Sequence, residues 1–494
     1  MAASRPSSAP EARSGTHTGP EKETPEFISV PGTGVPVIHF RLLIRAGAAE
    51  DPPGREGLAS FTAKLLRRGT RSLDRDCFDD ALDQIAAVLE TRVQREYTVI
   101  QGITLKRNLD EFYRILVDML LEPRFDPREL EKLKADQIDA VEAVRQSDEA
   151  LGREVFFQEM FRDHPYGHLS VGSLSSIRSI TPEDVRNFHA QHYVRAKLIV
   201  GLAGAIEPEL EERLRGDLEK MPAGKMERSP RTEAELSGRR VVLVEKEGRT
   251  QTHLRIGHPI PVTRAHADYT ALMLANTQLG RHRNSMGRLY QAVREQRGLS
   301  YGAYSYIGHF LGTPGPTTSS PPDLARGNQA FHMWIYPRSE NAAFVLKLAI
   351  REMEELKRAG VPDDRFDDVR DFTRNSFAFD IETPARRLAM ELDDRIYGVR
   401  DFARRFPDEV SKITRAEVNG AAARHLRPQD LLIVAVVPDA GKLKGQILSE
   451  DAPLIYPSGV DATPLAPDDA QVRAVKLDVD PGSIKILKAN DLFR

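Results

Sequence analysis

The chain has 494 residues, 40% of them hydrophobic and 29% charged, a composition typical of a soluble globular protein with two or more domains. A formal net charge of -3, without a long block of Lys and Arg, argues against a nucleic-acid-binding surface. The single cysteine, Cys77, excludes an intrachain disulfide framework, and no apolar stretch approaches the roughly 20 residues that span a bilayer.

The first elements in chain order are a polar tail and a strand. Residues 1–26 are rich in Ser, Pro, Ala, Gly and charge, which predicts a disordered tail, and they contain no apolar core of a secretory signal. Order is expected to begin near Phe27. In the segment 37–47, every second residue is apolar on one face (Ile38, Phe40, Leu42 and Ile44), which predicts a half-buried strand.

Helices are expected next, one within residues 57–70 and one over 77–89, followed by strands through residue 100. Two long amphipathic helices are then expected over 109–121 and 127–144. Residues 222–238 are polar and Pro-rich, which indicates a linker. Strands are predicted again just after Arg239. Residues 312–328 form a Pro-, Gly- and Ser-rich loop, with a flap, a docking loop and an incidental insertion as alternatives.

Two segments of the chain look like copies of one another. SITPEDVRNFHAQHYVRAKLIV begins at Ser179 and KITRAEVNGAAARHLRPQDLLI begins at Lys412, an offset of 412 - 179 = 233. Each predicts a capped helix, a turn and a buried strand, with Thr181 and Thr414 as the caps. A gene duplication explains this pairing. His192 and His425 occupy equivalent places in the repeats, which favours a structural role for both.

The segment GRLYQAVREQRGLSYGAYSY carries the strongest chemical signal. Its first part predicts a helix that buries Leu289, Ala292 and Val293, and that Gly298 ends before a strand. Arg294 and Tyr301 then converge on one cleft, where guanidinium and phenol are both donors to a developing oxyanion. A solvated cation and a strand aromatic are the alternative. Arg297 and Tyr304 lie close by in sequence and are candidates to share the work.

This segment resembles the Arg/Tyr segment of the insulinase-like (pitrilysin-type, inverzincin) zinc metallopeptidases. That family carries its zinc ligands in the N-terminal half, as HxxEH on a helix. The matching string here is GLASFTAKLLRRGT at residues 57–70, in which the three chemical positions are Ser60, Ala63 and Lys64. The position of the further carboxylate ligand corresponds to Gln137, with the neighbouring acids Asp136, Asp139 and Glu142 leaving that alignment open by a residue or two. The resemblance therefore implies a chain that holds no catalytic zinc.

The resemblance also implies the fold. We expect an α/β (α+β) architecture of two tandem homologous domains, each a mostly antiparallel sheet packed with helices, which together form half of a clamshell chamber. The expected bounds are a disordered tail at 1–26, a peptidase-like domain with a degenerate zinc motif at 27–221, a linker at 222–238, a second peptidase-like domain with the Arg/Tyr pair at 239–450 and a C-terminal extension at 451–494.

Three further histidines, His164, His168 and His282, are of interest as possible ligands or loop residues. His282 stands where relatives often carry several glycines, which speaks against a flexible Gly-rich substrate loop. His164 and His168 are four residues apart, but Pro165 and Gly167 disfavour a helix between them, so an accidental pair is preferred to a zinc site. The remaining histidines lack a second residue at ligand spacing.

Two functions follow from the resemblance. In the first, the chain is the non-catalytic subunit of a heterodimeric zinc metalloendopeptidase; a separate HxxEH subunit supplies the zinc, and Arg294 and Tyr301 contact the carbonyl of a peptide substrate. In the second, it is a structural or assembly subunit without a peptidase role. The intact Arg-x₆-Tyr spacing favours the first. A peptidase with relocated ligands is disfavoured, since no other His/Glu cluster is visible. The compartment stays open: export to the periplasm or beyond is weakly favoured, with the cytoplasm as the alternative.

Overall fold

The structure is a computed structural model that describes residues 24–32, 34–226, 233–282, 284–308 and 327–494. Nearly all of the predicted N-terminal tail lies outside the described residues, as do most of the predicted loop at 312–328 and the middle of the predicted linker. The first strand begins at Glu26, next to the predicted start of order at Phe27.

The N-terminal half forms a five-stranded sheet in the order β1-β5-β2-β4-β3. Its strands are β1 (Glu26–Pro31), β2 (Val37–Ile44), β3 (Val88–Val93), β4 (Thr98–Leu105) and β5 (Leu198–Gly204). Strands β1 and β5 are parallel and the other neighbours antiparallel, as the predicted fold class requires. Its helices are α1 (Leu58–Leu66), α2 (Arg75–Gln84), α3 (Leu109–Leu121), α4 (Pro127–Gln146), α5 (Asp148–Met160), α6 (Leu174–Ser179), α7 (Pro182–His192) and α8 (Pro208–Leu218).

The C-terminal half forms a six-stranded sheet in the order β11-β6-β10-β7-β9-β8. Its strands are β6 (Arg240–Glu245), β7 (His253–Ile260), β8 (Ala303–Ile307), β9 (Gln329–Ile335), β10 (Leu432–Val437) and β11 (Ile484–Lys488). Its helices are α9 (Tyr269–Leu279), a π-helix (Tyr290–Glu295), α10 (Ala342–Ala359), α11 (Asp363–Asp380), α12 (Pro384–Tyr397), α13 (Phe402–Lys412), α14 (Arg415–His425), α15 (Ala440–Ser449) and α16 (Ala466–Ala474). The predicted fold class, two sheets with packed helices, is confirmed. No helix in these described ranges has the length and apolar character needed to cross a membrane.

The predicted repeat is visible in the local structure. Helices α7 and α14 each start with a capping box: the Thr181 hydroxyl accepts from the Asp184 N–H at 3.2 Å, and the Thr414 hydroxyl accepts from the Glu417 N–H at 3.3 Å. Each helix leads through a turn into a fully buried strand, β5 in one half and β10 in the other. The capped helix, turn and buried strand thus occur in both halves.

The two halves exchange helices. Helix α5 of the first half packs on β7 and β10 of the second sheet, and α12 of the second half packs on β1 and β5 of the first. Leu388 and Leu392 of α12 share a buried cluster with Ile199 and Ala203 of β5. Because each half covers a face of the other's sheet, the halves are joined by apolar burial and not by the linker alone.

A buried ion pair reinforces this contact. Asp393 of α12 is 2% exposed, and its carboxylate lies 3.1 Å from the guanidinium of Arg264. Burial raises the pKa of Asp393 to about 6, while the positive charges of Arg264 and of Arg41 on β2 oppose that rise. At neutral pH the carboxylate is therefore ionised and faces cations from both halves of the chain.

Replacing the Asp393 carboxylate should destabilise the fold. We expect Asp393→Asn to lower the free energy of unfolding by about 3–5 kcal/mol, since it leaves buried guanidinium groups without their counter-charge. Equilibrium urea unfolding followed by circular dichroism measures this. The control, Asp367→Asn, removes a carboxylate whose side chain is 78% exposed and should change the stability by less than about 1 kcal/mol. Equal effects in the two variants would contradict the assigned role of Asp393.

Candidate functional site

The four degenerate zinc-motif positions meet between α1 and α4. Ser60, Ala63 and Lys64 lie on one face of α1, as their spacing requires, and Gln137 projects from α4. The Gln137 amide nitrogen donates to the Ser60 hydroxyl at 3.2 Å, and the Lys64 ammonium donates to the Gln137 amide oxygen. The residues that the resemblance matched to zinc ligands therefore lie together in space.

The start of α1 is held by a buried carboxylate. Asp51 accepts hydrogen bonds of 2.7 Å from the backbone N–H groups of Gly57 and Ala59, at the N-terminal end of the helix. Burial raises the pKa of Asp51, although His168, 3.3 Å away, opposes this shift. Gly57 has φ +95°, a conformation that favours glycine, and a Cβ there would lie 2.7 Å from the Val171 carbonyl oxygen.

The alignment of the fourth position is resolved by geometry. Asp136, one residue before Gln137, is hydrogen-bonded to Arg68. Glu142 pairs with Arg145 at 2.5 Å. Gln137 is the residue of α4 that contacts Ser60 and Lys64, so an amide stands where a carboxylate ligand is expected.

This set of side chains does not fit zinc. Zinc sites in proteins use thiolate, imidazole and carboxylate ligands, whereas this cluster offers a hydroxyl, a methyl, an amide and an ammonium. Burial lowers the pKa of Lys64, with a contribution from Arg68, while Asp136 opposes the shift. The Lys64 ammonium places a positive charge where a metal ion would lie. Its hydrogen bond also occupies the amide oxygen of Gln137.

Arg294 and Tyr301 are brought together at the surface. The Arg294 guanidinium carbon lies 4.0 Å from the centre of the Tyr301 ring and 4.8 Å from that of Tyr290. Tyr301 is 78% exposed. The Arg294 Nε lies 3.9 Å from the Glu295 carboxylate, and a cation over the ring face leaves the phenol O–H at the ring edge available to a ligand.

The local backbone explains the contact. The Gln296 N–H donates to the Gln291 carbonyl at 3.0 Å, the i+5 bond of a π-helical turn, which occurs often at functional sites. Gly298 follows with φ +62° and ends the turn, as predicted. Leu289 and Val293 are fully buried, and Ala292 is buried as well. This buried face leaves Arg294 on the outer side.

Two further candidates are not part of this exposed pair. Arg297 is fully buried, where its Nε donates to Asp469 at 3.0 Å and its Nη2 to Asp468. Tyr304 is 7% exposed and stacks on Trp334, with ring centres 5.7 Å apart. The suggestion that Arg297 and Tyr304 share the work of the pair was wrong, because sequence proximity does not distinguish the two faces of a helix end and a strand.

The C-terminal extension packs against the buried side of the Arg/Tyr segment. Asp468 and Asp469, the partners of Arg297, belong to α16. A Cβ at Gly298 would lie 3.1 Å from the Pro457 ring, which shows how closely the extension approaches. The sequence carries no signal for this support, since an Arg and an Asp 172 positions apart meet only in the folded chain.

Four histidines singled out in the sequence have separate partners within the fold. His192 lies 2.8 Å from the Lys197 ammonium, and His425 lies 2.7 Å from the Asp268 carboxylate, in line with the predicted structural roles. His168 faces the buried Asp51, whereas His164 accepts from the backbone N–H of Tyr166 at 3.1 Å. His164 and His168 thus do not form a ligand pair.

One histidine cluster escaped the sequence analysis. Ligand atoms of His266, Asp268 and His425 lie within 4.8 Å of one another. Arg424 already binds both oxygens of Asp268, at 3.0 and 2.8 Å. His266 Nδ1 accepts from the Asp268 backbone N–H at 3.0 Å, so its donor and acceptor positions are partly committed. The cluster is a balanced ion-pair network between α9 and α14.

Comparison with known proteins agrees with this geometry. The model of the insulinase family, peptidase family M16, matches residues 33–172, and the model of the peptidase M16 inactive domain matches residues 179–372. The chain belongs to peptidase family M16. Its degenerate zinc positions lie within the first match and the Arg/Tyr segment lies within the second.

Relatives of this M16 chain carry contrasting descriptions. An uncharacterized zinc protease of Streptomyces coelicolor is 25% identical over 66% of this chain and 68% of its own length. The non-peptidase homolog YmxG of Helicobacter pylori is 24% identical over 81% of this chain and 89% of its own. The zinc protease PqqE of the same organism is 22% identical over 79% and 86%. The chain is thus related to proteins described as peptidases and to one described as a non-peptidase.

Solved structures share the fold. The M16 inactive domain from Pseudomonas fluorescens superposes with a TM-score of 0.75 at 22% identity and covers 84% of this chain and 96% of its own. A protease from Helicobacter pylori superposes with a TM-score of 0.72 at 17% identity, over 83% and 97%. The two-domain architecture is therefore that of the family.

The arrangement of the degenerate zinc-motif positions leads to a prediction about metal binding. The triple variant Ser60→His, Lys64→His, Gln137→Glu should bind one Zn²⁺ with a Kd below about 1 μM, because the three side chains already converge. The control variant Ser60→His, Gln137→Glu keeps the Lys64 ammonium and should bind at least about tenfold more weakly, a difference of about 1.4 kcal/mol. Titration calorimetry with zinc compares the two, and equal affinities would show that Lys64 does not block the position.

Proposed function

We propose that this M16 chain is the non-catalytic, substrate-binding and transition-state-assisting subunit of a heterodimeric zinc metalloendopeptidase. A separate HxxEH-bearing subunit supplies the zinc, and the substrate is a peptide or an unfolded segment. The observation that carries the proposal is the exposed contact between Arg294 and Tyr301 in a chain whose zinc position is filled by Lys64 and Gln137.

The chemistry of the pair supports this role. A guanidinium and a phenol side by side offer several N–H donors and one O–H donor, the groups that stabilise a carbonyl oxygen as it gains negative charge. The 30% exposure of the Arg294 side chain and the 78% exposure of Tyr301 leave these donors open to a ligand from outside the chain. Arg297, by contrast, is fully buried in ion pairs with Asp468 and Asp469.

The construction beneath the pair also supports a site that needs defined geometry. The π-helical turn, the end of the turn at Gly298 and the ion pairs of Arg297 hold the backbone from which Arg294 and Tyr301 project. Donors that are held in place before the substrate arrives stabilise a transition state better than donors that must reorganise.

The first experiment asks whether the chain completes a peptidase. Tagged chain is purified from its native host, and the eluate is tested on a peptide library with and without a chelator. We expect chelator-sensitive hydrolysis in the eluate, an HxxEH-bearing chain among the co-purified proteins by mass spectrometry, and no hydrolysis by the chain expressed alone. A stable complex that cleaves no peptide would favour the alternative, a structural or assembly subunit.

The second experiment tests the pair itself within the reconstituted complex. Arg294→Ala and Tyr301→Phe should each slow hydrolysis roughly 100- to 1,000-fold, the usual effect of removing one oxyanion donor. Complex formation, followed by size-exclusion chromatography, should not change. Arg374→Ala removes an exposed cation of α11 that pairs with Asp371 at 3.2 Å and serves as the charge-matched control. Full activity in both test variants would remove Arg294 and Tyr301 from the mechanism.

A further inference from the structure

One face of the C-terminal sheet presents a row of polar and aromatic side chains. The strand register places Arg255 of β7 opposite Trp334 of β9, and Trp334 opposite Tyr304 of β8. In the next row along the same face, His332 of β9 lies opposite Tyr306 of β8. The opposite face of these strands, with Leu254 and Ile256 on β7 among its residues, belongs to the apolar core of the domain.

Arg255 in this row is buried with part of its guanidinium unpaired. Its exposed fraction is 0%, and its Nη1 donates to His332 Nδ1 at 3.2 Å. Its Nε and Nη2 have no hydrogen-bond partner in the described part of the chain. These two nitrogens share one edge of the planar guanidinium, the edge that binds both oxygens of a carboxylate side by side.

The internal repeat gives Arg255 a counterpart in the first half of the chain. In the first half, Arg41 of β2 lies opposite Gly201 of β5; in the second, Arg255 lies opposite Val434 of β10. Gly201 and Val434 are separated by 434 - 201 = 233 positions, the repeat offset, so Arg41 and Arg255 are counterparts. Burial lowers the pKa of Arg41, and the negative charge of Asp393 on α12 opposes that shift.

Helix α5 covers the second sheet and brings two carboxylates, Glu149 and Glu154, whose charges raise the pKa of Arg255, but neither is hydrogen-bonded to its Nε or Nη2. Helix α5 approaches β7 at Gly152, where an added Cβ would lie 2.2 Å from the ring of His253. The acids nearest in sequence to that contact do not hydrogen-bond to Arg255: Glu154 is engaged with Arg153 at 3.1 Å. Burial and then Arg153 lower the pKa of Arg255 to about 10, so the guanidinium still carries its charge at neutral pH. A buried, charged guanidinium with two nitrogens that lack hydrogen-bond partners is costly, and an incoming carboxylate that accepts from both would relieve that cost.

This row is continuous with the Arg294–Tyr301 surface. Gly302 follows Tyr301 directly, and a Cβ at Gly302 would lie 2.6 Å from the Trp334 ring. Trp334 is in turn the cross-strand neighbour of Arg255. The indole N–H of Trp334 also has no partner within the described ranges and is a further donor in the row. Tyr301 and Arg255 are thus connected through Gly302 and Trp334.

We propose that Arg255 binds a carboxylate of the bound peptide, either an acidic side chain or the C-terminal carboxylate, through its Nε and Nη2. This inference rests on the proposed peptide-binding function. Because Arg255 is fully buried in the free chain, the carboxylate reaches it by displacing covering side chains. The carboxylate then acts on Arg255 as the charge of Asp393 acts on Arg41 of the first sheet.

The test compares matched peptides by titration calorimetry on the full chain. One amidated decapeptide without acidic residues is the reference; a first series moves a single Glu along it, and a further peptide carries a free C-terminal carboxylate. We expect at least one register of Glu, or the free C-terminus, to bind about tenfold or more tightly than the reference, and the arm that gains affinity identifies the source of the carboxylate. The gain should fall below about twofold in Arg255→Gln, with unchanged affinity for the reference peptide.

Two variants complete the comparison. Arg255→Lys keeps the charge but loses the paired donors, so it should retain only part of the gain. Arg338→Gln removes a cation whose side chain is 67% exposed in the turn after β9, and it should keep the full gain. Equal binding of all peptides by the unmodified chain would overturn the Arg255 site and leave the proposed function standing. Failure of every peptide to bind would overturn the proposed function and this site with it.

A small-anion measurement guards against a variant that fails to fold. Thermal unfolding of the unmodified chain is followed in glutarate and in chloride at equal ionic strength. We expect glutarate to raise the Tm of the unmodified chain and of Arg338→Gln, and to leave that of Arg255→Gln and Arg255→Lys nearly unchanged. An equal rise in all of them would mark a general salt effect and contradict a site at Arg255.

Discussion

The structure depends on one constraint: each sheet has two faces that must be covered, and neither half of the chain covers both of its own. Helix α5 leaves the first half to pack on the second sheet, and α12 makes the reciprocal contact. The main core of the first half therefore continues into the second sheet, through residues such as Val242 and Val434. Burial of this area holds the halves as one unit, so the degenerate zinc position and the Arg/Tyr pair belong to a single rigid body.

The exchange also explains where charge is buried. A helix that packs on the sheet of the other half places its polar side chains against that sheet. The negative charge of Asp393 on α12 thus acts on Arg41 of the first half. Helix α5 brings Glu149 and Glu154 toward Arg255, but neither is hydrogen-bonded to its Nε or Nη2. Each sheet thus buries an arginine on the face that a helix of the other half covers.

The degenerate motif keeps its framework because that framework is needed for packing. Leu58, Phe61 and Leu66 of α1 are buried in the first domain whatever chemistry the helix performs. The chemical positions lie on the remaining face, where Lys64 and Gln137 have formed a hydrogen bond between helices in place of a metal bridge. Loss of zinc ligands therefore does not require loss of the fold, and a chain of this kind remains able to serve a partner.

Local sequence determined much of this protein. The alternation around Phe40, the caps at Thr181 and Thr414, the buried face of Leu289 and Val293 and the end of the turn at Gly298 are set by neighbours within a few residues, and they were predicted. The internal repeat predicted two similar sheets, and the spacing of Ser60 and Lys64 predicted one helical face. Only the tertiary structure decided which long-range partner each charged side chain took: Arg297 with α16, Asp393 with Arg264, and Arg255 with a free edge. Such pairings join residues that are distant in sequence, and their energy depends on burial and distance, neither of which is encoded in any local pattern.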